Sequence, residues 1–477
     1  MVPSTATNLV PPRRFVYLIG MSRSSPPQPT GVPDSRIFYG YVIVAAAFAA
    51  QFIAVGAQTG VIGAFAKPMT EALGWSRTEL FLAETVGQVT MAVVGVALGP
   101  RVDRLGARRL MLAGVTITVP ALVLISQVDT LWQWVLLRGL LFVVGAALVS
   151  SLVVSVTVSK WFVLRRGQAL GAAAMGVSLA GVVWPPLATV AINGLGWRGA
   201  WIVVAIAAVI ALIPAALVMR RQPEDYGLQP DGRASQSTEA RALASADYEN
   251  SLTRGEAVRT QAFYVIVVAF GLSIIGIFAI LTQTIPFLTD AGFSTGTAAL
   301  MSSTMSISAL VTKAPWGWAL DRFQARFLAA WSFVIAAVGL ALVVVAASGG
   351  SIAWLVVGYL LTGVGVGGNI PIHEVVWASY FGRRHLGAVR SAGFPFTAAI
   401  AAATPLGLAW YFDSVGNYDG ALLGCGALWV LAAILVLFLR RPKPRATTRP
   451  AAAYRPLVGR ASPQKTDRTS RLAQPPR

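Results

Sequence analysis

A chain of 477 residues that is 56% hydrophobic and only 12% charged is too apolar for a soluble protein, in which about a quarter of the residues carry charge. Its formal net charge of +19 does not in itself indicate nucleic acid, because what matters is where the basic residues lie relative to the apolar runs. The single cysteine, Cys425, excludes an intramolecular disulfide, and its position inside an apolar run makes it a packing residue.

Residues 1–38 are rich in Pro and Ser. The apolar run Phe15 to Met21 behind Arg13 and Arg14 is short and has no small-residue cleavage site, which argues against a signal peptide. Met21 is an alternative start that leaves the number of spans unchanged. Apolar runs near 20 residues then follow one another, separated by Gly, Pro or charge. Spans 1 to 6 are expected at Tyr41 to Phe65, Phe81 to Gly99, Leu110 to Ile125, Leu131 to Val156, Ala169 to Ile192 and Ala200 to Val218. Spans 7 to 12 are expected at Phe263 to Leu288, Ala298 to Leu320, Phe327 to Ala347, Ile352 to Val376, Gly387 to Phe412 and Ala421 to Leu439. The expected fold is an all-α membrane protein with twelve transmembrane helices in two six-helix bundles. The domains are then an N-terminal tail (1–38), a first bundle (39–219), a linker (220–261), a second bundle (262–440) and a basic tail (441–477).

An even number of crossings puts both termini on one side. Of the 38 Lys and Arg, 33 fall in the tails and in the segments on the same side as the tails, against three (Lys67, Arg77, Arg198) on the other. The positive-inside rule therefore places both termini in the cytoplasm of a multi-pass protein of the cytoplasmic membrane. The tail beyond Arg440 holds basic residues and Pro with only Asp467 opposing, a composition expected to meet anionic lipid rather than nucleic acid.

Two basic residues remain within spans, Arg138 and Lys313, and a charge there is a candidate for function. Lys313 is the only ionisable residue from Leu300 to Leu320, and a lysine at the centre of a membrane helix costs about 2.5–3.5 kcal/mol on insertion scales. Ser302, Ser306, Ala309 and Lys313 share one helical stripe, small and polar, suited to line a cavity. A fixed carboxylate on another helix, Glu84 or Glu374, is the alternative partner for the ammonium. Lys67 sits at the outer end of span 1, where it can act in coupling or simply snorkel. Arg138, early in span 4, is either a coupling residue or an outer-leaflet anchor. His373 and Glu374, towards the cytoplasmic end of span 10, are expected to act as a gating pair or at an interface.

The chain is internally repeated. Gly99-x-x-x-Asp103-Arg104-x-x-Ala107-Arg108 returns 218 positions later as Gly317-x-x-x-Asp321-Arg322-x-x-Ala325-Arg326. Trp161-Phe162 with Arg165-Arg166 likewise returns as Tyr380-Phe381 with Arg383-Arg384. A Gly at the end of a span lets a neighbouring helix approach, and the Asp can cap or pair at a helix end that must slide or rock. The G-x-G-x-x-G pattern Gly363 to Gly368 lies inside an apolar span instead of between a strand and a helix, so it denotes close helix packing and not a dinucleotide site. Gly171, Gly176 and Gly181 ahead of Pro185-Pro186 have the same explanation. No nucleotide loop, metal-ligand cluster or nucleophile–base arrangement is present, so no cofactor and no enzymatic activity are expected.

The element Gly99 to Arg109 resembles the signature between helices 2 and 3 of the major facilitator superfamily, and the resemblance covers about Ile37 to Arg441. Gly74-Trp75-Ser76-Arg77, Gly196-Trp197-Arg198, Pro223 to Leu228 and Tyr380 to Arg384 further resemble its monocarboxylate porter and oxalate/formate exchanger branch. The resemblance implies a secondary transporter in which the cation of helix 8, here Lys313, meets a substrate carboxylate and a helix 1 lysine, here Lys67 after Phe65, takes part in coupling. Arg138 resembles the superfamily's helix 4 arginine, which implies a coupling role; Asp103, Arg104, Asp321, Arg322 and Glu374 are expected from their places at span ends to act in coupling or gating. Two departures stand out: Ala309 where animal members carry an aspartate, and Gln283 where bacterial relatives often carry a histidine. The expected cargo is a small organic mono- or dicarboxylate, moved by symport with a proton or antiport against another anion. From helix position, Gln51, Gln58, Gln283, Ser302, Ser306 and Asn369 are expected to line the site with Lys313. An exporter of larger hydrophobic or drug-like compounds is the second reading, and a non-transporting sensor on the same scaffold the third.

Overall fold

A computed structural model describes residues 38–232 and 237–442. The expectations placed on the N-terminal tail, the Phe15 to Met21 run and the basic tail past residue 442 lie outside these residues. Only helices occur among the described residues, as a bilayer demands of a chain that must satisfy its own backbone polar groups.

Span 1 is Gly40–Leu73, span 2 Arg77–Leu105, span 3 Ala107–Ile125 and span 4 Leu131–Trp161. Spans 5 and 6 form one continuous run, Arg166–Val218, broken at Gly196. The break needs glycine, because its φ of 70° and ψ of 169° lie where a Cβ is strained. Spans 7 to 10 are Gln261–Asp290, Thr295–Leu320, Ala325–Ser348 and Ile352–Phe381; span 11 is the pair Leu386–Ala392 and Phe394–Val415, and span 12 is Asp419–Leu437. Among the described residues, nine helical runs are long and apolar enough to cross a membrane, with the 53-residue run holding two crossings. Thr295–Leu320 and Phe394–Val415 complete the twelve. Span 8 is less apolar because it carries four serines, four threonines and Lys313, a composition that belongs to a helix facing other helices and a polar site.

The observed helices extend beyond the apolar runs wherever a cap is available. Span 2 begins at Arg77 and not Phe81, because Ser76 and Glu79 form a capping box. Span 8 begins at Thr295, where Ser294 Oγ accepts the Thr297 amide. Inside the bundles, small residues set the approach of helices. A Cβ on Gly114 would meet the Gly145 carbonyl of span 4 at 2.8 Å, and one on Gly358 would meet the Gly339 carbonyl of span 9 at 3.1 Å. Gly363, Gly365 and Gly367 of span 10 crowd Met305, Ser332 and Ala309 in the same way, so the G-x-G-x-x-G stretch is a packing surface. The buried indoles of Trp134 and Trp429 donate to Leu80 O at 2.8 Å and Ser273 O at 2.9 Å, which satisfies their polar edge inside the bundle. Large apolar side chains such as Val93, Val190, Ile210 and Trp410 stand exposed on the outside, the lipid-facing surface that the composition requires.

Candidate functional site

Lys313 lies seven residues before the end of span 8, about 10 Å of helix, slightly nearer the middle of the span than its end. Its side chain is 2% exposed. The ammonium donates to Ser178 Oγ of span 5 at 2.5 Å and to Ala309 O, one turn back on its own helix, at 3.4 Å. No carboxylate among the described residues comes within ion-pair distance of it. Both partners weighed for it are engaged elsewhere: Glu84 lies 2.8 Å from Arg138 Nε, and Glu374 pairs with Arg390. The ammonium is thus buried with one hydroxyl and one carbonyl as its acceptors among the described residues, and a buried charge without a counter-charge is costly. The contact also joins the two halves of the chain, since span 5 belongs to the first and span 8 to the second. Space for it comes from glycine: a Cβ on Gly171 would lie 2.9 Å from Lys313 O, and one on Gly317 2.7 Å from Gly167 O.

Ser178 had no sequence signal beyond its place in a Gly-rich span. The residues expected around Lys313 are more dispersed than the helical stripe implies. Ser306 Oγ turns back on Ser302 O at 3.0 Å, and Gln283 Nε2 reaches only its neighbour Thr282 at 3.4 Å. Asn369 Nδ2 donates to Ser273 Oγ of span 7 at 2.9 Å. Gln51, 1% exposed, donates to Ala173 O of span 5 at 3.0 Å and leaves its own Oε1 without a partner. Gln58 enters a different cluster. An apolar groove of about 460 Å³ lined by Val86, Val89, Val93 and Leu140 holds none of these residues and lies along the exposed stripe of span 2.

That second cluster surrounds Arg138, 1% exposed. Its Nε donates to Glu84 of span 2 at 2.8 Å, Nη1 to Ala57 O at 2.9 Å, and Nη2 to Gln58 O. Phe142 lies 4.5 Å from the guanidinium carbon. Both backbones are widened into π-helix here, at Gly56–Gly60 in span 1 and Val135–Phe142 in span 4, a deformation common at functional sites. Lys67 is 77% exposed and faces Glu71 at 3.8 Å, a surface pair of small energetic weight.

At the face shared by residues 38 and 442, each half caps helices of the other. Asp103, ending span 2, accepts the amides of Gly387 at 3.3 Å and Ala388 at 2.9 Å at the start of span 11, and pairs with Lys160 at 2.7 Å. Asp321, ending span 8, accepts the amides of Gly167 at 2.6 Å and Gln168 at 3.2 Å at the start of span 5. Unpaired amides and the positive end of the dipole make a helix start a carboxylate site. Burial pushes the Asp321 carboxyl up to about 6 against the pull of these amides, which still leaves it ionised at neutral pH. The 218-residue repeat is thus one interaction made twice between the halves. Arg104 and Arg322 are exposed, the latter lying over Trp318 at 4.0 Å.

The linker joins the same face. Asp247, in the helix Thr238–Glu249, accepts from Arg166 of the first half at 3.0 Å and lies 3.5 Å from Arg383 of the second. Glu224 pairs with Arg383 at 2.7 Å, and Asp231 accepts the amides of Val163, Leu164 and Arg165. His373 and Glu374 do not form a pair: His373 accepts from Trp377 Nε1 at 2.7 Å and stacks near Phe270, while Glu374 turns to Arg390. Adjacent residues on a helix point about 100° apart, which separates them. Replacing Asp103 with Asn should slow turnover by about tenfold while substrate affinity changes little, since charge-assisted bonds at a moving interface are lost and Lys160 is left unpaired. Parallel kcat and KM measurements in proteoliposomes check this, and an affinity loss alone would count against an interface role.

The profile of the Major Facilitator Superfamily matches residues 47–312 and 278–473. Monocarboxylate transporter 11 of Mus musculus is 26% identical over 62% of this chain and 62% of its own length. The MFS-type transporter pynF of Aspergillus niger is 31% identical over 29% of this chain and 31% of its own, and the Fujikurins efflux protein of Gibberella fujikuroi 35% identical over 22% and 23%. The chain therefore spans less than two thirds of the length of each of these relatives in the matched region. Among solved structures, the proton:xylose symporter XylE shares the fold with a TM-score of 0.67 at 13% identity, covering 85% of this chain and 97% of its own. The E. coli fucose:proton symporter FucP does so with a TM-score of 0.64 at 11% identity, covering 85% and 100%.

Proposed function

We propose that this chain, which belongs to the Major Facilitator Superfamily and is a multi-pass membrane transporter rather than an enzyme, moves a small organic anion bearing a carboxylate. The observation that carries the reading is Lys313: a buried ammonium with no carboxylate among the described residues, bonded across the two halves to Ser178. A substrate carboxylate supplies the missing charge and, by touching both spans 5 and 8, favours an arrangement in which the halves close on it. Alternating access follows when the bundles, 39–219 and 262–440 joined by the linker 220–261, rock about this contact. The likeness to a monocarboxylate transporter supports the same cargo. Transport proceeds with a proton or in exchange for a second anion.

Uptake into proteoliposomes of a panel of labelled mono- and dicarboxylates tests the reading. Saturable counterflow of at least one of them is expected; binding without flux would favour a sensor. A second reading, export of larger hydrophobic compounds, draws on the fungal efflux relatives, and the absence of any carboxylate flux alongside export of such a compound would favour it.

The face with the Asp103 and Asp321 caps is assigned to the cytoplasm of the cell membrane, because the basic residues crowd there, and the basic tail 441–477 to anionic lipid. Cysteines introduced at Arg104 and Arg322, both exposed, should react with an impermeant reagent only after permeabilisation. Labelling in intact cells would reverse the topology.

A further inference from the structure

The repeat that sets the two aspartate caps also pairs the residues that precede them. Gly99 and Asp103 of span 2 correspond to Gly317 and Asp321 of span 8, so Gly95 corresponds to Lys313: each stands four residues before its glycine, about 6 Å of helix. The packing repeats with the sequence. A Cβ on Gly317 would crowd Gly167 O of span 5, and one on Gly99 would collide with Gly387 O and Ser391 Oγ of span 11. The halves of this superfamily are related by an axis along the membrane normal, which carries each residue to its counterpart at the same depth on the other side of the interface. Lys313, where spans 8 and 5 cross, thus has its counterpart where Gly95 of span 2 faces span 11.

The two walls differ in chemistry. At Lys313 the wall is a buried ammonium on Ser178 Oγ. At Gly95 it is an aromatic ring: a Cβ there would lie 3.0 Å from Phe394 Cδ1 and 3.3 Å from its Cγ, so glycine is what lets the ring lie against span 2. Span 11 is broken between Leu386–Ala392 and Phe394–Val415, and Phe394 opens the second segment with Pro395 in its first turn, where a missing amide removes no helical bond. The hydroxyls on either side bond to their own helix, Ser391 Oγ to Ala388 O at 3.1 Å and Thr397 Oγ to Phe394 O at 3.0 Å. No charged residue lies on span 2 between Thr85 and Pro100 or on span 11 between Phe394 and Phe412. Arg101 and Arg390, the nearest charges along each helix, are bound to Ala97 O and to Glu374. Phe394 is only half-buried, which leaves part of its surface open to a ligand.

We propose, building on the carboxylate-transport reading, that Phe394 is the specificity-determining residue opposite Lys313. The cargo is then a carboxylate whose other end is an aryl or branched-alkyl group, which packs on the Phe394 ring while the carboxylate meets the ammonium. The ring offers apolar area to either group and a favourable edge or face contact to an aryl one. It rejects a second carboxylate, because a charge set against an apolar wall is desolvated without a partner. Lys313 by itself accepts any carboxylate; the ring selects monocarboxylates with an apolar body over dicarboxylates and over hydroxylated acids of equal charge.

The test uses the full chain in proteoliposomes with labelled acetate, 3-methylbutanoate, phenylacetate and succinate. In wild type the KM should be lowest for phenylacetate and 3-methylbutanoate, and succinate should not be carried. Phe394→Ala should raise the KM for the two apolar acids by about tenfold, with kcat and the KM for acetate little changed. A ring that only braces the helix crossing would move all acids alike, so an equal rise for acetate and phenylacetate overturns the assignment, as does an unchanged KM for phenylacetate. Wild-type flux of carboxylates with no preference for the apolar acids also overturns it and leaves the carboxylate-transport reading standing, whereas wild type without flux of any carboxylate removes both. Where F394A does not yield folded protein, Phe394→Leu keeps an apolar side chain without the ring: phenylacetate should lose affinity relative to 3-methylbutanoate, and an unaltered ratio of their KM values overturns the assignment.

Discussion

Replacing Lys313 with alanine should weaken carboxylate binding by about one to two decades while leaving the empty protein at least as stable as before. The first half of that result follows from the loss of one charge-assisted contact, typically about 1.5–3 kcal/mol. The second follows from what Lys313 does not touch. Had it been paired with Glu84 or Glu374, alanine would strand a buried carboxylate and cost about 3–5 kcal/mol. Those acids are held by Arg138 and Arg390, and the ammonium has only Ser178 Oγ and Ala309 O. Removing it therefore relieves a desolvated charge and forfeits one hydroxyl contact. Thermal unfolding with and without the carboxylate separates the two quantities, because a ligand that binds only the folded state stabilises it by an amount that grows with the logarithm of its concentration over Kd. The expected pattern is an unchanged or higher melting temperature without ligand, and a smaller rise with it. Arginine at 313 should restore part of the affinity, most for an anion able to accept two parallel hydrogen bonds. Unchanged affinity with a large fall in the unliganded melting temperature would end the substrate-site proposal.

The fold was legible because a bilayer leaves few options. Apolar runs near 20 residues read as spans, and the repeat at 218 positions reads as two related halves. The breaks were legible to the extent that caps mark them: Gly196 ends span 5, and Ser294 starts span 8. The site was legible at Lys313, Arg138, Asp103 and Asp321, since a charge or a repeated acid in an apolar chain has few neutral explanations. Partners were not legible. Ser178 is one serine among many, and its role depends on spans 5 and 8 crossing at Gly167, Gly171 and Gly317. Arg390 counts among the basic residues on the side of the tails although it falls inside the run expected at Gly387 to Phe412; the structure places it in the buried helical segment Leu386–Ala392 that opens span 11. Helical stripes also overstate what shares a cavity, since Ser306 and Gln51 spend their hydrogen bonds on backbone carbonyls that no periodicity reveals.

Arg138→Ala should be the most destabilising of these changes. The guanidinium meets three acceptors from three directions: Glu84 on span 2 and the carbonyls of Ala57 and Gln58 on span 1. Those carbonyls belong to the π-helical segment Gly56–Gly60, where the widened turn leaves backbone groups without regular helical partners. Alanine at 138 strands all three. Removing one partner of a buried pair costs about 3–5 kcal/mol, and the lower end applies because Glu84 is 25% exposed and partly solvated. Lysine should recover less than half of the loss, since a single ammonium on a flexible arm cannot reproduce a planar fork that spans three acceptors. Glu84→Gln should cost less than R138A, because the carbonyl bonds survive. A double-mutant cycle on residues 84 and 138, read by thermal unfolding without ligand, gives their coupling directly. An anchor predicts a large coupling and carboxylate affinity per folded molecule close to wild type, since Lys313 lies in another half. If R138A instead melts like wild type yet loses transport, Arg138 belongs to the permeation pathway, and the two π-helical segments around it mark a site that moves during the cycle rather than a brace.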